Sequence, residues 1–211
     1  MKKRIIVLGA PGAGKGTQAR NLAVHYDAEH ISTGDMLREH VKNNTLVGES
    51  IQYLIDVGKL APDELVLGLV IKKILNGNYV LDGYPRNLRQ AETLHEICKK
   101  LGEPIDGVVL VNVSDEDIIS RISGRLVCPD CGKMFHYIYY PSKKGLDCDN
   151  CDGRLETRKD DKAVTVRDRL SIYHETTQPV VDFYRRKNLL KTVDGIGDMP
   201  EITKKIIEAL G

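Results

Sequence analysis

Residues 9–17, GAPGAGKGT, constrain this chain more than any other stretch. They follow Arg4–Leu8 (RIIVL), a short and largely apolar run of the kind buried on both faces of a parallel sheet. They precede a helical pattern that carries Ala19, Leu22, Ala23 and Tyr26. Between a strand and a helix, the glycines let the backbone turn tightly, so that successive N–H groups point at phosphate oxygens. The helix N-terminus adds its partial positive charge. Lys15 can reach terminal phosphates, and Thr17 offers a hydroxyl. The loop departs once from the general form GxxxxGK[ST]: Gly16 follows Lys15, and the Thr comes one position later.

The rest of the chain alternates strands and helices. A strand is expected to end near Ile31, with Ser32 or Thr33 capping a helix that carries Met36, Leu37 and Val41. Helical patterns continue to about Leu75, interrupted at Gly58 and Pro62. Tyr79–Asp82 (YVLD) reads as a third strand, closed by Gly83 and Pro85. A helix follows with Ala91, Leu94, Cys98 and Leu101 on one side. Residues 107–113 (GVVLVNV) form the clearest strand, and the helix after it presents Ile118, Ile119 and Ile122. A long helical region is expected over about 163–187, with a break or kink at Pro179. Leu190–Asp194 and a helix over 200–210 complete the pattern. Strands separated by helices imply parallel pairing. The expectation is an α/β, P-loop NTPase-type doubly wound sheet of about five parallel strands.

Residues 124–161 stand apart, with four Cys, several Gly and Pro, and too little apolar content for an independent core without a clamp. Cys128, Cys131, Cys148 and Cys151 form a CxxC–x16–CxxC set, the spacing of a four-thiolate zinc site. With no open coordination position, such a metal is structural. Iron can also occupy four thiolates, and two disulfides are the other reading. Cys98, in helical register with Leu94, is expected in the core.

Bulk properties exclude some roles. A formal net charge of +1 gives no field for nucleic acid or an anionic membrane. No run approaches the ~20 apolar residues of a membrane span. The N-terminus superficially resembles a secretion signal, but its apolar run is short and breaks into Gly, Pro and Lys. A cytoplasmic monomer with no nucleic-acid or membrane partner is the expectation.

Asp82 ends a strand, where a carboxylate suits magnesium, directly or through water; a turn cap is its other reading. Arg38, Arg86, Arg121, Arg125, Arg158 and Arg169 recur near expected strand ends and lobe edges, where α/β ligand clefts form. Phosphoryl transfer calls for such dense positive charge, because its protein chemistry is largely positioning and electrostatics.

GAPGAGKGT, STGDMLR, YVLDGYPRN, RISGR, RKDD and TVRDRL, in this order and spacing, resemble the adenylate kinases over essentially the whole chain. The family's own loop matches Gly16. The resemblance implies reversible transfer of a phosphoryl group from Mg-ATP to AMP, giving two ADP and maintaining adenine nucleotide balance. It implies a core of residues 1–31, 62–123 and 162–211, an AMP-binding lobe at 32–61 and a zinc-binding lid at 124–161. Gly12, Ala13, Gly14, Lys15, Gly16 and Thr17 would hold the ATP phosphates, joined by Arg121 and Arg125. Met134, Phe135 and Gly197 would lie near the ATP adenine. Thr33, Arg38, Lys59, Leu60, Ala61, Gly83, Tyr84, Pro85, Arg86 and Gln90 would line the AMP site. Arg158 and Arg169 would reach the transferring region or the AMP phosphate, and Lys15, Arg86 and Arg125 would share in catalysis. Asp82 would help order magnesium. The AMP phosphate is already anionic, so no general base is needed and the six histidines are read as incidental. The rival readings are a UMP or CMP kinase, a P-loop switch with a zinc ribbon, disfavoured by the lack of NKxD, and a non-catalytic nucleotide sensor.

Overall fold

Every residue of the RIIVL run is buried, because it forms the middle strand of a five-stranded sheet. The computed structural model describes residues 3–75 and 77–211. In chain order, β1 (Arg4–Leu8) leads through the glycine-rich loop to α1 (Lys15–His25) and β2 (Glu29–Ser32). Three helices follow: α2 (Thr33–Lys42), α3 (Leu46–Asp56) and α4 (Asp63–Ile74). Then come β3 (Tyr79–Asp82), α5 (Leu88–Lys100), β4 (Gly107–Asn112) and α6 (Asp115–Ser123). A small antiparallel pair, β5 (Arg125–Val127) and β6 (Met134–His136), belongs to the cysteine-bearing stretch. The chain closes with α7 (Ala163–Ile172), α8 (Gln178–Arg186), β7 (Leu190–Asp194) and α9 (Met199–Leu210).

The sheet runs β2-β3-β1-β4-β7, all parallel. Ile6 stands between Leu81 and Val108 in register. Strand period two then sorts side chains into two cores. Ile6, Leu8, Leu81 and Val108 pack on one face with Val70, Leu94, Val181 and Tyr184. Ile5, Val7, Val80 and Val109 pack on the other with Leu22 and Ile206. Burying each such aliphatic side chain contributes about 1.5–3 kcal/mol. Phosphate-loop geometry thus sits on the strand that both cores clamp.

The helices start where side chains can cap them. Ser32 Oγ accepts from Asp35 N at 3.3 Å, and Asn87 Oδ1 accepts from Gln90 N at 2.8 Å. An interruption at residues 43–45, not expected from the pattern, lets α3 fold back on α2. Thr45 Oγ1 caps α3 by accepting from Gly48 N at 3.0 Å. Gly48 permits the close crossing, since a Cβ there would stand 2.1 Å from the His40 carbonyl oxygen.

Three details differ from the pattern. Leu101 is 48% exposed, because it caps α5 where the chain leaves the helix. Ile119 is exposed, since only Ile118 and Ile122 are one turn apart on the inner face. The long C-terminal helix does not break at Pro179 but runs on through it, with a π-helical turn at Tyr173–Thr177 just upstream. Pro179 has no N–H for the Glu175 carbonyl, so the wider turn takes up the mismatch upstream. Cys98 lies in the core as expected, 3.5 Å from the Tyr79 hydroxyl.

The cysteine-bearing stretch has its own small core of Leu126, Cys128, Phe135, Cys148 and Leu155. It rests on the rest of the protein through Lys42 Nζ, which donates to the Pro129 carbonyl at 2.9 Å, and Arg20 Nη2, which donates to the Gly132 carbonyl at 3.3 Å. No helix among the described residues is long and apolar enough to cross a membrane.

Candidate active site

The loop after β1 has the left-handed backbone its glycines permit. Gly12 has φ 84°, and a Cβ there would lie 2.6 Å from Ile122 Cγ1. Lys15 Nζ folds back and donates to the Ala10 carbonyl at 2.8 Å. Burial pushes the Lys15 ammonium down to about 7, with Arg86, Arg169 and Arg125 adding to the effect and Asp82 opposing it. Asp82 feels the converse. Burial alone would raise its carboxyl, but nearby His30 and Lys15 outweigh burial and hold it below its usual range. His30 Nε2 lies 3.8 Å from Asp82 Oδ2, too far for a hydrogen bond. A Cβ at position 16 would stand 3.1 Å from Asp82 Oδ2, so Gly16 leaves room for that carboxylate beside the loop. An ionised carboxylate next to a phosphate-binding loop fits the oxygen-only donor preference of magnesium.

In front of the loop lies a cavity of about 610 Å³. Residues 12–17 form one wall, and Arg38, Arg86, Arg121, Arg125, Arg158 and Arg169 all line it. Met134, Phe135 and Gly197 line it too. A recess of about 70 Å³ is lined by Thr33, Lys59, Leu60, Ala61 and Gln90. Arg38, Gly83, Arg86 and Arg169 border both spaces and so join them. Two expected members stand differently. Tyr84 packs its side chain into the core, 1% exposed. Pro85, after a cis peptide bond, lines a third hollow of about 60 Å³ with Lys15, Arg86 and Arg169.

Part of the recess is built where the C-terminal end of β3 leads into the start of α5. Arg86 Nε donates to the Gly83 carbonyl at 2.7 Å, and its backbone N–H donates to Gln90 Oε1 at 2.7 Å. Gln90 Nε2 donates in turn to Asp63 Oδ1, and Thr33 Oγ1 to the Gly83 carbonyl. The arginines are held by carboxylates the sequence reading did not nominate. Asp35 Oδ1 accepts from Arg38 Nη2 at 2.5 Å and lies 3.9 Å from Arg158 Nη2. Arg125 is paired with Asp161, and Arg169 Nη1 donates to Asp160 Oδ2 at 2.8 Å. Arg121 Nη2 donates to the Gly195 carbonyl at 2.9 Å. Burial pushes Arg86 and Arg158 down to about 10, helped for Arg86 by Arg169 and for Arg158 by Arg38 and Arg125. The cluster carries positive charge that its own carboxylates do not neutralise, which is the chemistry of a polyphosphate site.

A model of the adenylate kinase family matches residues 7–189. The adenylate kinase of Caldicellulosiruptor saccharolyticus is 46% identical over 212 aligned positions, covering 99% of each chain. That of Lachnospira eligens is also 46% identical, and that of Archaeoglobus fulgidus 44% identical over 96% of this chain and 95% of its own. The chain belongs to the adenylate kinase family.

Adenylate kinases are nucleoside monophosphate kinases that work on Mg-ATP. The four cysteine sulfurs fit a structural zinc site. Four thiolates about 2.3 Å from a tetrahedral zinc stand about 3.8 Å apart. Cys128 and Cys151 sulfurs are 3.4 Å apart, those of Cys131 and Cys148 3.6 Å, and all four lie within 4.8 Å of one another. Every one is a free cysteine, so the disulfide reading does not hold. Sequence reasoning also passed over His136, Tyr139 and Tyr140, which line the large cavity. Asp35 and Asp160 were within reach, because they sit inside STGDMLR and RKDD. The histidine and tyrosines carry no motif of their own.

Proposed function

We propose that this protein transfers the γ-phosphoryl group of Mg-ATP to AMP, reversibly, giving two ADP. The observation that carries the reading is the continuity of the two spaces through Arg38, Gly83, Arg86 and Arg169. A triphosphate on the loop and a monophosphate in the recess then meet across the same arginines.

In this reading residues 12–17 hold the ATP phosphates by backbone N–H groups, with Arg121 and Arg125 on the phosphate chain. Lys15 leaves the Ala10 carbonyl for the phosphates, and their charge restores its own. Met134, Phe135 and Gly197 flank the adenine. Thr33, Arg38, Lys59, Leu60, Ala61, residues 83–86 and Gln90 receive AMP, with Tyr84 acting through its backbone because its side chain is in the core. Arg158 and Arg169 reach the group in transfer. The AMP oxygen needs no deprotonation, so these groups act by orientation and charge alone. Magnesium, when bound with ATP, neutralises charge on the phosphate oxygens; Asp82 would hold it, directly or through water.

Residues 32–61 act as the AMP-binding lobe, 124–161 as the lid, and the remainder as the core. Zinc on Cys128, Cys131, Cys148 and Cys151 keeps the lid folded as a unit. Closure of both lobes excludes water, which would otherwise accept the phosphoryl group. The protein works as a cytoplasmic monomer, without nucleic acid or membrane.

The test is a coupled assay with ATP, magnesium and each of AMP, UMP, CMP and GMP. Two ADP per AMP consumed, with little response to the other acceptors, is the expected result. A response mainly to UMP or CMP would overturn the acceptor, and phosphate release without acceptor would overturn transfer itself.

A further inference from the structure

The turn after β6 forms the aromatic wall of the large cavity, and one histidine holds it. The His136 N–H donates to the Tyr140 carbonyl at 2.8 Å, and the Tyr140 N–H donates back to the His136 carbonyl at 3.3 Å. Inside so short a turn, the amides of Ile138 and Tyr139 point away from any strand ladder. Both donate instead to His136 Nδ1, at 3.0 and 3.1 Å. A ring nitrogen that accepts two N–H groups carries no proton, so the proton lies on Nε2. Burial holds the ring below the ordinary imidazole range, which favours this neutral form. Nε2 is buried and has no hydrogen-bond partner among the described residues. Gly124 makes room for the ring, because a Cβ there would stand 2.6 Å from Nε2.

The same ring packs on Tyr139, with centroids 4.5 Å apart, while Tyr140 stacks on Phe135 at 5.9 Å. His136, Tyr139, Tyr140 and Phe135 all line the cavity that also holds Gly197. The turn is therefore part of the cavity wall, and through Tyr140 it rests on Phe135 of the small core.

We infer that His136 is a positioning residue for the phosphoryl donor: its Nδ1 folds the 137–139 turn and so sets Tyr139 and Tyr140 along the adenine side of the cavity. This rests on the proposed placement of adenine beside Met134, Phe135 and Gly197. His136 borders the cavity together with the turn it holds, and the positioning role predicts an asymmetry. Losing Nδ1 weakens ATP and leaves AMP alone, because Thr33, Arg86 and Gln90 belong to other elements.

Three substitutions separate this from a general packing role. Asn places its Oδ1 at the same branch as Nδ1, and an Asx side chain accepts from the N–H groups two and three residues on. Gln carries the same amide one carbon too far, and Leu fills the space with no acceptor. His136→Asn is expected to keep the KM for ATP within about threefold of the parent protein, while His136→Gln and His136→Leu raise it about tenfold or more, with kcat and the KM for AMP within about twofold. Zinc content is measured on each variant. Equal rises for Asn and Gln would overturn the inference, as would an unchanged KM for ATP in the Leu variant or an equal rise for AMP. If His136→Leu loses zinc, the Asn–Gln comparison alone decides. Equilibrium titration with ATP, in the absence of AMP, reads the same asymmetry without turnover. Lack of ADP formation by the parent protein would therefore strike the transfer reading and leave this one to be judged on binding.

Discussion

The central sheet and the cysteine-bearing stretch solve the same problem by different means. The sheet buries aliphatic side chains on both faces, and its cores draw on most of the helices. The stretch at 125–157 has five core residues, two of them cysteines, and β-strands of three residues each. Hydrophobic burial suffices for the first. The second has too little, and its four thiolates form one cluster that would supply metal–ligand bonds in place of the missing core. One region is held by its own apolar side chains, and the other gathers four sulfurs that fit a structural ion.

The largest effect should come from removing that ion. Structural zinc contributes on the order of 10 kcal/mol to folding of small sites. Chelation, or Cys148→Ser, should expose the amides of Val127 and Leu155 to hydrogen exchange while those of Ile6 and Val108 stay protected. Equal loss in both regions would mean that they fold as one unit. Next is the phosphate loop, which depends on charge more than on packing. Lys15→Met should lower turnover by about 10³-fold. Its melting temperature should stay level or rise, because the ammonium is buried at a cost in the ligand-free protein. A collapse in melting temperature would show that Lys15 holds the fold.

Deleting the same side chain from each core sharpens the contrast. Leu94→Ala should cost the main unfolding transition about 2–5 kcal/mol. Leu155→Ala, in zinc-loaded protein, should shift that transition by less than about 1 kcal/mol. Calorimetry of the two variants reads this directly.

The smallest effect concerns protons. In the ligand-free protein Lys15 loses its proton near pH 7 instead of 10.5, so between those values the folded state is short of a proton. This group therefore makes the folded protein more stable as pH rises through that window, because the unfolded chain binds the extra proton. Phosphates restore the charge. ATP binding at pH 8 should take up close to one proton, and affinity should weaken by up to about tenfold per pH unit above 7. Titration calorimetry in buffers of different ionisation enthalpy measures the uptake, and Lys15→Met should abolish it. Zero uptake in the parent protein would mean that Lys15 stays charged in the ligand-free site.

Much of this was legible in the chain because local rules carried it. RIIVL could only be a buried strand, GAPGAGKGT after it could only turn tightly, and two CxxC steps put thiols in pairs. A cap at Ser32 or Thr33, which the structure places at Ser32, and the strand at Tyr79–Asp82 followed from the same short-range chemistry. Where local rules allow two answers, tertiary contacts choose between them. Leu101 continues the apolar side of α5 yet ends in solvent, because periodicity does not report where a helix stops touching its neighbour. The interruption at 43–45 depends on Gly48 meeting His40, a contact between helices.

By itself, then, the sequence determined the α/β class, the phosphate loop, the four-thiolate set and the arginines that line the large cavity. Those are properties of residue type and short spacing. Only the tertiary structure decided which carboxylates hold the arginines, that Tyr84 faces the core, and that His136 folds the wall of the cavity. Asp35 and Arg158 are far apart in sequence, and His136 acts on amides whose need for a partner arises only once the turn has formed. Such pairings depend on direction and distance in the folded chain, and residue spacing contains neither.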